Sequence, residues 1–371
     1  MARVAGVCVL KDAIDIVPAI CGHYLGLGFE RLLFLDDGST DGTFELLERL
    51  ARRDRRVIVE RARMDPLAQG ALMTAACNRL VAEGYGPIFP FDSDEFWRLD
   101  MARVVRFADR HETCVFRGRF VQFVQARSVR RSTPLDLLKA VNRAPARYHT
   151  AREAVRQLNT YVAFAKPKVA FKARGPVQVS DGQHEVTLAD VEEPPVAEDL
   201  EVFHLILRSA EQIEIRAERA WNYYWKKARS PKHLRLMWGA NSANRLGFMD
   251  PPQREEIMLI SDTRLRDAGL RALAYFALRH PLLFARAWAI SARPRAERRW
   301  GGPWAPEGWT APLAGAPARL LAGLGLVLAG GAIGLADLAP FTEIDEWLAG
   351  GVAVFGAAAS ALNARAAFRA G

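Results

Sequence analysis

The residues best suited to chemistry are two short acidic clusters, each directly after an apolar run. Asp92-Ser93-Asp94-Glu95 follows Ile88–Phe91. In extended chain, side chains two apart point the same way. Asp92 and Asp94 are therefore expected to converge, with Glu95 turned elsewhere. Two carboxylates with no thiolate nearby suit a hard cation such as Mn2+ or Mg2+, which keeps positions open for phosphate oxygens. Asp36-Asp37-Gly38-Ser39 follows Leu32–Leu35. A carboxylate there can accept from a base N–H or a ribose hydroxyl, and free backbone amides beside it can meet phosphate. Each cluster alone is equally what helix caps or an ordinary strand-to-helix turn would supply.

The elements that must position these clusters alternate through the first hundred residues. Val4–Leu10, Leu32–Leu35, Val57–Val59 and Ile88–Phe91 read as strands. Ile14–Leu25, Phe44–Arg53 and Ala71–Glu83 read as helices. That alternation predicts an α/β fold: a Rossmann-like, mostly parallel sheet with helices on both faces. Ligands of such sheets bind beyond the carboxyl ends of the strands, where both clusters fall. Further on, Thr113–Val124, Lys168–Lys172 and Val177–Val179 read as strands, and Leu188–Leu200 as an acidic surface loop. Glu211–Ala228 reads as a helix, and Arg254–Ile290 as largely helical with a break near Pro281.

In their order, the motifs Leu10-Lys11-Asp12, His23-Tyr24, Leu27-Gly28-Phe29, Asp36-Asp37-Gly38-Ser39-Thr40-Asp41-Gly42-Thr43 and Phe91-Asp92-Ser93-Asp94-Glu95-Phe96 resemble the family-2 glycosyltransferases, specifically the branch with a D-x-D-E-F metal motif. Lys166-Pro167-Lys168, Gly182-Gln183-His184 and His204-Leu205 with Leu207-Arg208-Ser209 extend the resemblance to about residue 230. It implies a GT-A fold and a metal-dependent, inverting transfer of sugar from a nucleotide donor, most simply a UDP-sugar, to a glycan or lipid-linked acceptor. Asp36 and Asp37 would hold the base, with Lys11, Asp12, Gly38 and Ser39 beside them. Asp92 would reach the ribose or the metal, and Asp94 would bind the metal, with His204 as a further ligand and Arg208 on the phosphates. His184 would contact donor or acceptor hydroxyls. The chain departs from the branch at Asp12-Ala13, where Asn-Glu is usual, and lacks both the Trp before the metal motif and the Glu-Asp base motif. Asp181, Glu185 and Glu95, together with Asp94, remain as catalytic carboxylates, and Lys166 and Lys168 read as ordinary surface charge.

Two other classes fit parts of the pattern. Phe91-Asp92-Ser93-Asp94 also matches a haloacid-dehalogenase-type phosphohydrolase nucleophile, although Phe96 stands where that reading expects Thr or Val and Asp36-Asp37 then have no task. The missing base motif leaves room for a non-catalytic nucleotide-sugar-binding or membrane scaffold protein. No HExxH, Walker A loop or GxSxG is present.

The chain has 371 residues, half of them apolar, enough for a large core. Its net charge of +9 comes almost wholly from Arg, 43 against 8 Lys, with no dense basic stripe, so nucleic acid is not an expected partner. Four cysteines without a CxxC pair read as reduced, buried thiols of a cytoplasmic protein. No signal peptide is expected at the N-terminus. Residues 1–245 are expected to form the GT-A domain, 246–300 a helical extension, and 301–371 a linker and an Ala/Gly-rich apolar hairpin. Leu320–Ala336 and Leu348–Ala364 are each seventeen residues without charge, the lower limit for a membrane span. Acidic residues lie between the runs and arginines outside them. Residues 320–364 are thus suited to anchoring the protein at the inner face of the cytoplasmic membrane.

Overall fold

In the computed structural model, described residues are 2–62, 69–125, 129, 131–143, 166–189, 191–205, 208–209, 212 and 260–292. The apolar β1 (Ala5–Leu10) is buried along its whole length. It pairs in parallel with β2 (Arg31–Asp36) on one side and β4 (Ile88–Asp92) on the other, and β3 (Val57–Arg61) extends the sheet beyond β2. Alternation along β1 sorts its side chains onto two faces. Cys8 and Leu10 join one core; Ala5, Val7 and Val9 join the other.

The first core is roofed by α1 (Val17–Gly26), α2 (Thr43–Ala51), α4 (Met101–Arg110) and two later helices, α5 (Arg264–Arg279) and α6 (Pro281–Ser291). The second is covered by α3 (Gln69–Ala82) and a small hairpin, β9 (Val177–Val179) with β10 (Val186–Leu188). Helices therefore lie on both sheet faces, as a mixed α/β fold with a parallel centre requires. Asp100 caps α4 by accepting from the Arg103 amide at 3.0 Å. Gly42 enters α2 at a φ of 95°, a left-handed conformation that a side chain would strain.

Beyond β4 the sheet becomes antiparallel through β8 (Lys168–Lys172), which also pairs with β6 (Cys114–Val124). β11 (Val196–His204) lies parallel to β6 and antiparallel to the short β5 (Glu95–Arg98). At the far edge, β7 (Asn142–Arg143) and β12 (Ile260–Ser261) complete the order.

The four cysteines are free and buried. The expected loop at 188–200 ends early, because β11 begins at Val196 and pairs with β6 despite an acidic, Pro-flanked start. The helix at Met101–Arg110 and strand β5 were not legible as separate elements. The break at Pro281 falls between α5 and α6 as the sequence suggested. Among the described residues no helix is long and apolar enough to cross a membrane. The expected helix at 211–228 and the apolar runs within 320–364 lie outside the described residues, save Gln212.

Candidate active site

Both acidic clusters reach the same edge of the sheet. Asp36 is level with Leu10 on β1, and Asp92 is level with Val9 on its other side, so β1 alone separates them.

The loop after β2 is tied to the loop after β1 by its own polar side chains. The Asp37 amide donates to the Leu10 carbonyl at 2.9 Å. The Asp12 amide donates to Ser39 Oγ at 2.8 Å, and Asp12 Oδ1 accepts from the Thr40 amide at 2.7 Å. The Ala13 amide donates to Thr43 Oγ1 and the Ile14 amide to Asp41 Oδ2, at 2.8 and 3.1 Å. Asp12 takes a φ of 47° to make these contacts. Asp36 is fully buried; its Oδ1 accepts from the Ser39 amide at 3.0 Å and lies 3.4 Å from Arg61. Asp12, Asp36 and Ser39 thus shape the loop. Asp37, at the rim, keeps a partly exposed carboxylate 3.3 Å from the more exposed Lys11 ammonium.

The Asp92–Glu95 turn is organised around a lysine. Lys168 is 1 % exposed, and its ammonium sits 2.9 Å from Asp92 Oδ2, 2.9 Å from Glu95 Oε1 and 2.5 Å from Gln183 Oε1. Three acceptors match its three N–H bonds. Burial alone would lower its pKa, but the Asp92 and Glu95 carboxylates outweigh burial and hold it above the usual range. Lys168 is therefore not the surface charge the sequence suggested. Glu95 also differs from expectation. The chain turns at Ser93-Asp94, so the two-residue alternation of a strand lapses, and Glu95 swings inward at the start of β5. Its Oε2 accepts from the Asp92 amide at 3.0 Å. Burial pushes the Glu95 carboxyl up to about 7; the Lys168 ammonium opposes this and Asp92 adds to it.

Asp94 is buried, with Oδ1 3.6 Å from Nε2 of His204. Ligand atoms of Asp94, Glu95 and His204 all lie within 4.8 Å of one another. Two carboxylate oxygens and an imidazole nitrogen are a donor set that suits Mn2+. Antiparallel pairing sets Glu95 opposite His204, and the Leu205 amide donates to the Asp94 carbonyl at 2.9 Å, which fixes strand end against turn.

The remaining expected residues are distributed around this centre. Arg208 is buried in a two-bond pair with Asp15, at 2.9 and 3.1 Å, and its Nη1 has no partner among the described residues. Asp181 Oδ1 accepts from the Gly70 amide at 2.7 Å, at the start of α3, on the same turn that delivers Gln183 to Lys168. Gln69, one residue before Gly70, reaches Asp92 Oδ1 at 3.4 Å. Glu185 is exposed and paired with Lys166 at 2.9 Å, which lowers its pKa. His184 Nδ1 lies 3.2 Å from the Pro167 carbonyl, and burial lowers its pKa. Gly38 turns the loop at a φ of 69°. Lys168 and Gln183 lie in two of the motifs that carry the resemblance, but the sequence assigns Gln183 no role and Lys168 only surface charge, although a lysine opening the apolar strand Val169-Ala170-Phe171 is a signal for a buried, paired charge.

No protein-family model matches the chain, and no curated protein matches it. Solved structures do. Residues 1–349 of Staphylococcus aureus TarS share 14% identity, over 78% of this chain and 88% of that one, with a TM-score of 0.29. The same TarS fragment in complex with UDP shares 12% over the same extents, with a TM-score of 0.30. The mannosyltransferase PcManGT from Pyrobaculum calidifontis, in complex with GDP-Man and Mn2+, shares 14% over 89% of this chain and 86% of that one, with a TM-score of 0.29.

Proposed function

We propose that the protein is a metal-dependent, inverting glycosyltransferase that moves a sugar from a nucleotide donor, a UDP-sugar by preference, to a glycan or lipid-linked acceptor. One observation carries the reading. Two acidic clusters flank β1 at one sheet edge, and one of them joins His204 in a cation-sized donor set. Asp37 and Lys11 at the rim receive the nucleoside, held by a loop that Asp12, Asp36, Gly38 and Ser39 keep rigid. Asp94 and His204 hold Mn2+ or Mg2+, with Asp92 beside them. The cation, when bound, offsets the charge that builds on the departing nucleoside diphosphate. Arg208, whose Nη1 is unpartnered among the described residues, would supply a planar donor to the same phosphates.

In the transfer, the acceptor oxygen forms a bond to the anomeric carbon as the bond from that carbon to the diphosphate oxygen breaks. The hydroxyl proton goes to a carboxylate. We assign that base to Asp181. Only its Oδ1 is engaged among the described residues, and its turn adjoins Asp92 through Gln69 and Gly70. Glu185, exposed and paired with Lys166, is the weaker choice. A phosphohydrolase using Asp92 would leave Asp37 and His204 without a task. The apolar tail within 320–364 suits anchoring beside a lipid-linked acceptor.

The test is thermal stabilisation by UDP, GDP and CMP with and without Mn2+. One nucleotide should raise the unfolding midpoint only with the metal, and Asp94→Asn should abolish that effect. Metal-independent responses, or none, would refute the reading, as would phosphomonoester hydrolysis lost in Asp92→Asn.

A further inference from the structure

Three neighbouring strands carry a polar row across one face of the sheet. Glu95 on β5 pairs with His204 on β11, and His204 pairs with Gln122 on β6. Phe120, two residues before Gln122 and so on the same face, lies 4.8 Å from the His204 ring. Gln122 is only 6 % exposed, yet neither its carboxamide oxygen nor its nitrogen has a hydrogen-bond partner among the described residues. The neighbouring His204 Nδ1 is also buried without one among the described residues. A buried, unpaired amide costs about 1–3 kcal/mol. Two adjacent residues with three such atoms form a site built for a ligand that donates and accepts at one point. A hydroxyl does both: it takes a proton from an N–H and gives its own to a carbonyl.

We infer that Gln122 and the Nδ1 edge of His204 form a hydroxyl-binding subsite for the transferred sugar, with Phe120 as its apolar floor. The inference rests on the transferase reading above and deepens it. It makes Gln122 a specificity-determining residue that contacts the sugar and not the nucleotide. Having no partner among the described residues gives Gln122 an unusual signature. Replacing Gln122 by an apolar side chain of similar size removes no hydrogen bond found among the described residues, so stability should hold or rise while sugar recognition falls.

The experiment compares wild type with Gln122→Leu and Gln122→Met. Unfolding midpoints are measured without ligand. Dissociation constants for UDP, UDP-glucose, GDP and GDP-mannose are then measured by calorimetry with Mn2+. Both variants should melt at or above the wild-type midpoint and bind the free diphosphates within about twofold of wild type. They should bind the sugar conjugate of the preferred nucleotide about tenfold more weakly, the value of one or two hydroxyl hydrogen bonds. An unchanged ratio of conjugate to diphosphate affinity would overturn the subsite alone, as would lower midpoints in both variants. If wild type binds neither diphosphate with Mn2+, the transferase reading fails and the subsite falls with it.

Discussion

Replacing Lys168 by methionine tests the organisation of the acidic centre. The ammonium lies 2.9 Å from a carboxylate oxygen of Asp92 and 2.9 Å from one of Glu95. At an effective dielectric constant of about 20, each attraction is ~6 kcal/mol. Desolvation of three ionised groups, several kcal/mol each, cancels most of that. Methionine keeps the length of the side chain and loses the charge. The attraction disappears and the desolvation of the carboxylates remains, for a loss of about 3–5 kcal/mol. For a unit of this size the unfolding midpoint should fall by about 10 °C.

The sign of the pH dependence follows from Glu95. Its native carboxyl, already raised by burial to about 7, loses the cation that opposed the rise. A carboxyl raised above its unfolded value loses stability as pH rises through the window between the two. The deficit of Lys168→Met should therefore be largest above pH 7 and shrink towards pH 5, where Glu95 is protonated in the native state. Adding Glu95→Gln removes the stranded charge and keeps an acceptor for the Asp92 amide, now 3.0 Å from Glu95 Oε2, so the double variant should recover at least half of the loss. Thermal unfolding followed by tryptophan fluorescence measures wild type, Lys168→Met and the double variant. A single variant as stable as wild type, or a double variant no more stable than the single, would refute the buried charge cluster.

Asp181→Asn keeps a carbonyl oxygen for the Gly70 amide but no basicity; kcat should fall at least about 100-fold with the donor KM nearly unchanged, measured by diphosphate release. Burial lowers the His23 pKa to about 4, where its ring meets the Trp97 carbonyl at 2.9 Å. The unfolded state takes up a proton near pH 6.5 while the native state does not, so stability is lost as pH falls from there to about 4. That loss is up to about 3 kcal/mol, and His23→Gln should flatten this part of the stability–pH curve. Gly22→Ala would set a Cβ 1.9 Å from the Ala272 carbonyl oxygen, prising α1 from α5 at a cost of about 3 kcal/mol, read as a fall in urea midpoint.

Much of the parallel half was legible because its signals are local. Val4–Leu10 and Ile88–Phe91 are apolar runs too short for buried helices, and each ends at a polar turn. The antiparallel half was not, since β5 and β11 owe their conformation to partners about a hundred residues away in sequence. The acidic clusters themselves stood out, but their division of labour did not. Asp36 and Asp37 are adjacent, and only the pleat of β2 decides which one is buried against Arg61 and which reaches the rim. Lys168 was misread because its three acceptors come from β4, β5 and the turn at 181–183, which no sequence spacing connects. Gln122 carried no motif, and its interest lies in the partners it lacks.

These details bear on how a cation would enter. The donor set offers Asp94, Glu95 and His204, but Glu95 already spends one oxygen on Lys168 and the other on the Asp92 amide. A cation that recruited Glu95 would have to break one of those bonds within a buried cluster, where an unpaired ammonium or amide is costly. Asp94 Oδ1 and His204 Nε2 lie 3.6 Å apart, outside the three bonds by which Lys168 holds Asp92, Glu95 and Gln183. The division is therefore electrostatic. Lys168 offsets Asp92 and Glu95 and holds the turn shut, so under the proposed function the cation would fall to Asp94 and the His204 imidazole. On that proposal the remaining coordination positions would be the diphosphate's, and cation and nucleotide should each bind more tightly in the other's presence.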